Sequence, residues 1–130
     1  MALHGWHHVS HQKSDDWQTS ILDTQHLVKE QLPLLYRPYF RPPYAQRQKD
    51  SGGFFKENNL TVSLWNIDTQ DWSSTISGQD AANRALTMML LWRRGIFLFH
   101  DIHSKAQIAV PWLIHKTQGV GIVWDDCRNY

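Results

Sequence analysis

Short apolar stretches alternate along this chain with longer segments in which apolar residues recur at helical spacing. Continuous apolar strands that alternate with helices are typical of a parallel sheet covered by helices, because such strands are buried on both faces. The pattern therefore predicts an α/β fold. The predicted strands are residues 34–40, 60–65, 96–99 and 120–124, and the predicted helices are residues 15–32, 54–58, 78–92 and 104–116.

Polar side chains follow the ends of three predicted strands. Arg41 follows the first, Asp68 and Asp71 follow the second, and His100 follows the third. The carboxyl ends of parallel strands meet on one side of the sheet, where active sites are built. We therefore expect these side chains to reach one pocket mouth.

Composition narrows the classes of function. At 130 residues the chain fits one domain. Lys and Arg number 13 against 12 for Asp and Glu, a balance that argues against a nucleic-acid partner, since such proteins need a basic face. The longest apolar stretch, residues 86–92, is far shorter than the roughly 20 residues of a membrane span. The single cysteine, Cys127, excludes a disulfide within the chain.

Four of the eight histidines lie close to the start of the chain, at His4, His7, His8 and His11. His4 with His8, and His7 with His11, are four residues apart, so on a helical turn either pair could reach one metal ion. On spacing alone, solvated histidines in an N-terminal loop are the stronger interpretation. The seven tryptophans suit a groove that binds sugars or other ligands.

Each remaining motif has an ordinary structural interpretation. Residues 41–44, Arg-Pro-Pro-Tyr, form a rigid turn, residues 68–72 form a helix cap, and His100 ends a buried strand. These separate interpretations do not explain why the motifs occur in this order at successive strand ends.

In that order, the motifs resemble those of the NodB-type polysaccharide deacetylases, carbohydrate esterase family four. The pair His4 and His8 is similar to the family's zinc-binding second motif. Residues 39–44 are similar to the third motif, Arg-x-Pro-Tyr, residues 68–72 to the fourth, Asp-x-x-Asp-Trp, and residues 96–101 to the fifth, Leu-x-His.

The family's first motif, Thr-Phe-Asp-Asp, does not occur in the chain. In the family its two aspartates are the catalytic base and the third zinc ligand. The resemblance therefore implies one deacetylase domain over residues 1–130, truncated at its N-terminus, with an incomplete, deformed (β/α) barrel of parallel strands and outer helices. Asp125 and Asp126, after the last predicted strand, are the alternative source of that pair.

The resemblance implies a metal-dependent hydrolase that removes acetyl groups from N- or O-acetylated polysaccharide of the chitin, peptidoglycan, xylan or poly-N-acetylglucosamine type. Zinc, or another divalent metal, would be held by His4 and His8. His100 would be the general acid, Asp71 would bond its imidazolium, and Arg41 would pair with the family's base. The backbone N–H of Tyr44 would bind the oxyanion. The side chains expected to contact substrate are Leu98, Trp72 and Pro43.

Two alternatives stay open. One is a catalytically inactive, deacetylase-like module that binds carbohydrate or has a structural role. The other is a small zinc-binding interaction domain that uses all four N-terminal histidines. The resemblance further suggests a location in the cell envelope, the periplasm or outside the cell, and a sheet edge left exposed would favour a homodimer.

Overall fold

A computed structural model describes residues 1–125, so Asp126 and Cys127 lie outside the described residues. The chain divides into two compact units, Met1–Leu64 and Trp65–Tyr130. The helices are α1 (Trp17–Gln31), α2 (Gly52–Glu57), α3 (Gly78–Trp92) and α4 (Ser104–Thr117), and the strands are β1 (Tyr39–Phe40), β2 (Thr61–Val62), β3 (Ile67–Asp68) and β4 (Phe97–Leu98). Short 3-10 turns cover His11–Lys13 and Pro43–Ala45.

In the first unit, β1 and β2 pair in parallel, with Tyr39 opposite Thr61. Leu3 adds a single parallel bridge to Phe40. Both bridge residues are buried, because α1 and α2 cover this sheet with apolar side chains. The buried core of the unit consists of Leu3, Ile21, Val28, Phe40, Phe55 and Leu60.

In the second unit, β3 and β4 pair in parallel, with Asp68 opposite Leu98. Helices α3 and α4 pack closely because small residues line their contact. The buried core consists of Ala81, Ala82, Ala85, Ala109 and Leu113. At Gly78 a side chain would lie 2.9 Å from Cβ of Ile108, so only glycine permits this approach. Ser77 and Asp80 form a capping box that begins α3.

The predicted α/β class and the parallel strand pairing are confirmed. Helix α3 has the bounds that the sequence predicted. No helix among residues 1–125 is both long enough and apolar enough to cross a membrane.

All four predicted strands are wrong in extent or in kind: of 60–65 only Thr61–Val62 pairs, and of 96–99 only Phe97–Leu98. Of residues 34–40 only the last two pair, and Leu34 is 88% exposed. The segment 120–124 forms no strand, because Gly119 and Gly121 adopt positive φ and turn the chain back. The indole N–H of Trp124 then donates to Oγ1 of Thr117, 2.9 Å away in α4.

Candidate active site

His4 lies at the edge of the sheet formed by β1 and β2, because the preceding residue, Leu3, is hydrogen-bonded to Tyr39 and Arg41 on either side of Phe40. Nδ1 of His4 lies 2.6 Å from the carbonyl oxygen of Arg41. A carbonyl oxygen can only accept, so Nδ1 is the donor and carries the proton. In the neutral ring the lone pair is then on Nε2, which is the form that a metal ligand needs.

His8 lies beside His4 and beside the turn that follows β1. Its ring centroid is 5.0 Å from that of His4 and 4.7 Å from that of Tyr44, which meets it edge to face. The structure thus brings together both predicted metal ligands and one predicted catalytic residue.

The turn at Tyr44 has an unusual backbone. Tyr44 and Ala45 both lie in the left-handed region, at φ of 56° and 58°, which costs a non-glycine residue about 1 to 3 kcal/mol and is concentrated at functional sites. The N–H groups of Ala45 and Gln46 donate to the carbonyls of Pro42 and Pro43. Among residues 1–125 no backbone carbonyl accepts the N–H of Tyr44. It directly follows two buried prolines, Pro42 and Pro43, which restrict the backbone of this turn.

Arg41 is half-buried at the ends of both strands of this sheet. Its backbone N–H donates to the carbonyl of Leu3, and its Nε–H lies 3.4 Å from the carbonyl oxygen of Ser63. The residue therefore connects the chain start, β1 and the end of β2.

His11 is a buried histidine whose role the sequence did not reveal. It is 2% exposed and stacks on Phe40 at 5.3 Å, and neither ring nitrogen has a hydrogen-bond partner. Burial lowers the pKa of His11, the charge of His4 lowers it further, and Asp16 opposes both effects. His7, four residues earlier, is exposed, and the alternative four-histidine site stays a prediction. Among residues 1–125 no group of three metal-ligating side chains is formed.

In the second unit, the buried carboxylate of Asp71 holds His100 at two points. Oδ2 accepts the backbone N–H of His100 at 2.6 Å, and Oδ1 accepts Nδ1–H of its ring at 2.8 Å. The Asp71 side chain is fully buried, whereas that of His100 is 32% exposed. This arrangement fixes the ring with Nε2 as the nitrogen that can exchange a proton with a substrate.

The side chain of Asp68 stabilises the loop from β3 to Asp71 through two hydrogen bonds. Its Oδ1 accepts the backbone N–H of Gln70, which has a φ of 58°, and the indole N–H of Trp72. Trp72 remains 53% exposed. Leu98 is buried, and its carbonyl accepts the hydroxyl of Thr69 at 2.7 Å, so β3 and β4 are tied together just before Asp71 and His100.

Comparison with known proteins finds similar sequences and similar structures. No family model matches the chain. The chain is 34% identical over 67 residues to chitin deacetylase 1 of Saccharomyces cerevisiae, a match that covers 48% of this chain and 22% of that protein. The solved structure of peptidoglycan deacetylase PdaC from Bacillus subtilis superposes with a TM-score of 0.71 at 24% identity, covering 88% of this chain and 54% of that chain.

The fold is that of the NodB-type polysaccharide deacetylases. Solved relatives of this kind are deformed (β/α) barrels, so the predicted family resemblance and its fold class are confirmed. BA3943 of Bacillus anthracis, described as a family 4 carbohydrate esterase pseudoenzyme, matches this chain with a TM-score of 0.71 at 18% identity, over 91% of this chain and 41% of that one. The chain spans about half the length of PdaC.

The structure forms two local groups of predicted residues, one in each unit. The first contains His4, His8, Arg41 and Tyr44, and the second contains Asp71 with His100. Their convergence on one pocket mouth stays a prediction.

Proposed function

We propose that this chain provides the metal-binding and acid-donating residues of a metal-dependent hydrolase that removes acetyl groups from N- or O-acetylated polysaccharide. The observation that carries the proposal is the imidazole pair of His4 and His8, held 5.0 Å apart beside the Tyr44 turn. The similarity to chitin and peptidoglycan deacetylases supports the choice of substrate class.

The donor set of the pair suits zinc. Imidazole nitrogen is a common zinc ligand, and the bond from His4 Nδ1 to the Arg41 carbonyl gives His4 the tautomer and the ring orientation for binding through Nε2. When bound, zinc supplies Lewis-acid polarisation of a carbonyl and acidification of water. By the family resemblance, the third ligand and the base are the aspartates of the first motif.

Several residues of the chain would take part in removing the acetyl group. The rigid N–H of Tyr44 would donate to the developing oxyanion, a type of interaction worth about 3 to 4 kcal/mol in other hydrolases. His100 would protonate the departing sugar amine or hydroxyl through Nε2, and Asp71 would stabilise the resulting imidazolium. Arg41, by resemblance, would orient the base, and Trp72, Leu98 and Pro43 would shape the acetyl pocket.

The metal proposal is tested by calorimetric titration of zinc into the purified chain. We expect His4→Ala to weaken binding at least about 10-fold, because one of two imidazoles is lost. His7→Ala is the matched control, since His7 is an exposed neighbour in the same turn, and it should bind zinc as the parent chain does. Equal loss in both variants, or no binding by the parent chain, would contradict the metal proposal.

Catalysis is tested by acetate release from an acetylated chitin oligosaccharide. Release should stop on chelation, return with zinc, and fall about 100-fold or more in His100→Ala. His115→Ala, an exposed histidine of α4, is the control and should leave the rate unchanged. Absence of acetate release with zinc present would reject the enzyme proposal for this chain.

A second candidate function is a catalytically inactive module that binds carbohydrate. The match to the pseudoenzyme BA3943 favours it, as does the lack of a three-ligand metal group among residues 1–125. It predicts oligosaccharide binding that persists after chelation and in His100→Ala. Trp72→Ala should weaken that binding, because an indole that is 53% exposed can stack on a sugar ring.

A further inference from the structure

One buried hydroxyl in α1 contacts the turn that carries the proposed metal ligands. Ser20 is 8% exposed, and its Oγ accepts the backbone N–H of Trp6 at 2.9 Å and that of His7 at 3.4 Å. Its carbonyl oxygen also lies 3.2 Å from the N–H of Trp6. All three contacts fall between His4 and His8, in a segment that lacks regular secondary structure.

We propose that Ser20 is a positioning residue that sets the separation of the His4 and His8 imidazoles by fixing the backbone between them. The inference rests on the proposed metal site. A hydroxyl oxygen has two lone pairs, and two N–H groups of the turn point at this one. No helix or strand ladder orders residues 5–8, so these bonds to α1 are the turn's main restraint.

Gly5 provides independent support for this contact. Its φ is +96°, a conformation that side chains rarely adopt, and a Cβ at this position would lie 3.4 Å from Oγ of Ser20. The turn therefore lies in van der Waals contact with α1, and the positive φ of Gly5 gives it the direction that brings it there. The glycine and the serine together determine where the chain leaves His4 and where it reaches His8.

A second hydroxyl of α1, that of Thr24, also contacts Ser20. The hydroxyl of Thr24 donates to the Ser20 carbonyl at 2.8 Å, which is a bond internal to the helix and does not touch the turn. Thr24 is therefore a matched control: its removal deletes a hydroxyl from α1 without deleting a bond to Trp6 or His7.

The experiment is zinc titration by calorimetry on the full chain, with urea unfolding of every variant. Ser20→Ala should weaken zinc binding about 10-fold, the lower end of the range for residues that orient metal ligands, whereas Thr24→Ala should leave the affinity unchanged. Ser20→Thr retains the hydroxyl and should recover most of the loss. Gly5→Ala should weaken binding by a similar factor, because a side chain strains the φ of +96° and shifts the turn.

The outcomes separate this inference from the metal proposal. If the parent chain binds zinc through His4 and a folded Ser20→Ala variant binds it equally well, Ser20 has no positioning role. If Ser20→Ala and Thr24→Ala lose affinity equally, the effect belongs to α1 as a whole and the inference is overturned. If the parent chain binds no zinc, the proposed metal site fails and this inference fails with it. Should Ser20→Ala not fold, Gly5→Ala with unchanged affinity would overturn the inference.

Discussion

Replacement of His11 by leucine should stabilise the protein, although it removes an aromatic residue from the core. His11 is 2% exposed, and both of its ring nitrogens are buried without a hydrogen-bond partner. Leucine has a similar volume and no polar atom. The variant His11→Leu therefore relieves two unsatisfied groups at little cost in packing.

The size of the effect follows from these contacts. Each unsatisfied buried polar atom costs about 1 to 3 kcal/mol, so the two nitrogens together cost about 2 to 6 kcal/mol. Leucine loses the stacking on Phe40, worth about 0.5 to 1.5 kcal/mol, and its shape mismatch costs up to about 1.5 kcal/mol. We expect a net increase of about 1 to 3 kcal/mol in the free energy of unfolding at pH 7.

The pH dependence provides a second readout. Burial lowers the pKa of His11 below its ordinary value of 6.5. Below pH 6.5 the unfolded chain therefore takes up a proton that the folded imidazole does not, and the stability falls as the pH drops, by up to about 1.4 kcal/mol per pH unit. At pH 7 and above this loss is absent. The His11→Leu variant has no imidazole at this position and should not show this loss of stability. The difference in free energy of unfolding between the variant and the parent chain should therefore grow from pH 7 to pH 5.

Urea unfolding at pH 5, 6 and 7 measures both effects. The matched control is His26→Leu, because the side chain of His26 on α1 is 82% exposed, and its stability should change by no more than about 0.5 kcal/mol. A His11→Leu variant that is less stable than the parent chain at pH 7, or whose advantage does not grow as the pH falls, would refute the reasoning.

Two further predictions concern local packing and capping. Gly95→Ala should lower the free energy of unfolding in urea by about 1 to 3 kcal/mol, because its Cβ would lie 2.5 Å from Cδ1 of the buried Ile67. The control is Gly53→Ala, whose Cβ would have no atom within 4 Å, and it should be neutral or stabilising by up to about 1 kcal/mol. Equal effects of the two substitutions would contradict the packing argument. Ser77→Ala should lower the free energy of unfolding by about 1 kcal/mol, since the Ser77 hydroxyl accepts the N–H of Asp80 and caps α3. Amide hydrogen exchange at the start of α3 should become faster, and unchanged exchange there would contradict the capping role.

Helices were better predicted from the sequence than strands were. The residues 78–92 begin after a Ser-x-x-Asp cap and end before Arg-Arg-Gly, so local signals fix both ends of α3. The apolar run 60–65 carries no such signals. It is divided between β2 and the approach to β3, which belong to different units, because pairing with distant strands decides which residues become extended.

The local parts of the candidate site were also readable from the sequence. The His-x-x-x-His spacing, the Arg-Pro-Pro-Tyr turn and the Asp-x-x-Asp-Trp run are short motifs, so their resemblance to the family's motifs was enough to name His4, His8, Tyr44 and Asp71. The burial of His11 was not readable, because a histidine four residues after His7 shows the same pattern whether it faces solvent or a phenylalanine of β1.

The sequence by itself determined the α/β class, the bounds of α3 and the identity of the motif residues, since these depend on neighbours within one or two helical turns. Only the tertiary structure decided that both carboxylate oxygens of Asp71 accept hydrogen bonds from His100. The same is true of the hydrogen bond from His4 to the Arg41 carbonyl and of the one from the Trp6 N–H to the Ser20 hydroxyl. Those contacts join residues 14 to 37 positions apart. Their formation depends on how the strands pair and the helices pack, and no local pattern of residues encodes it.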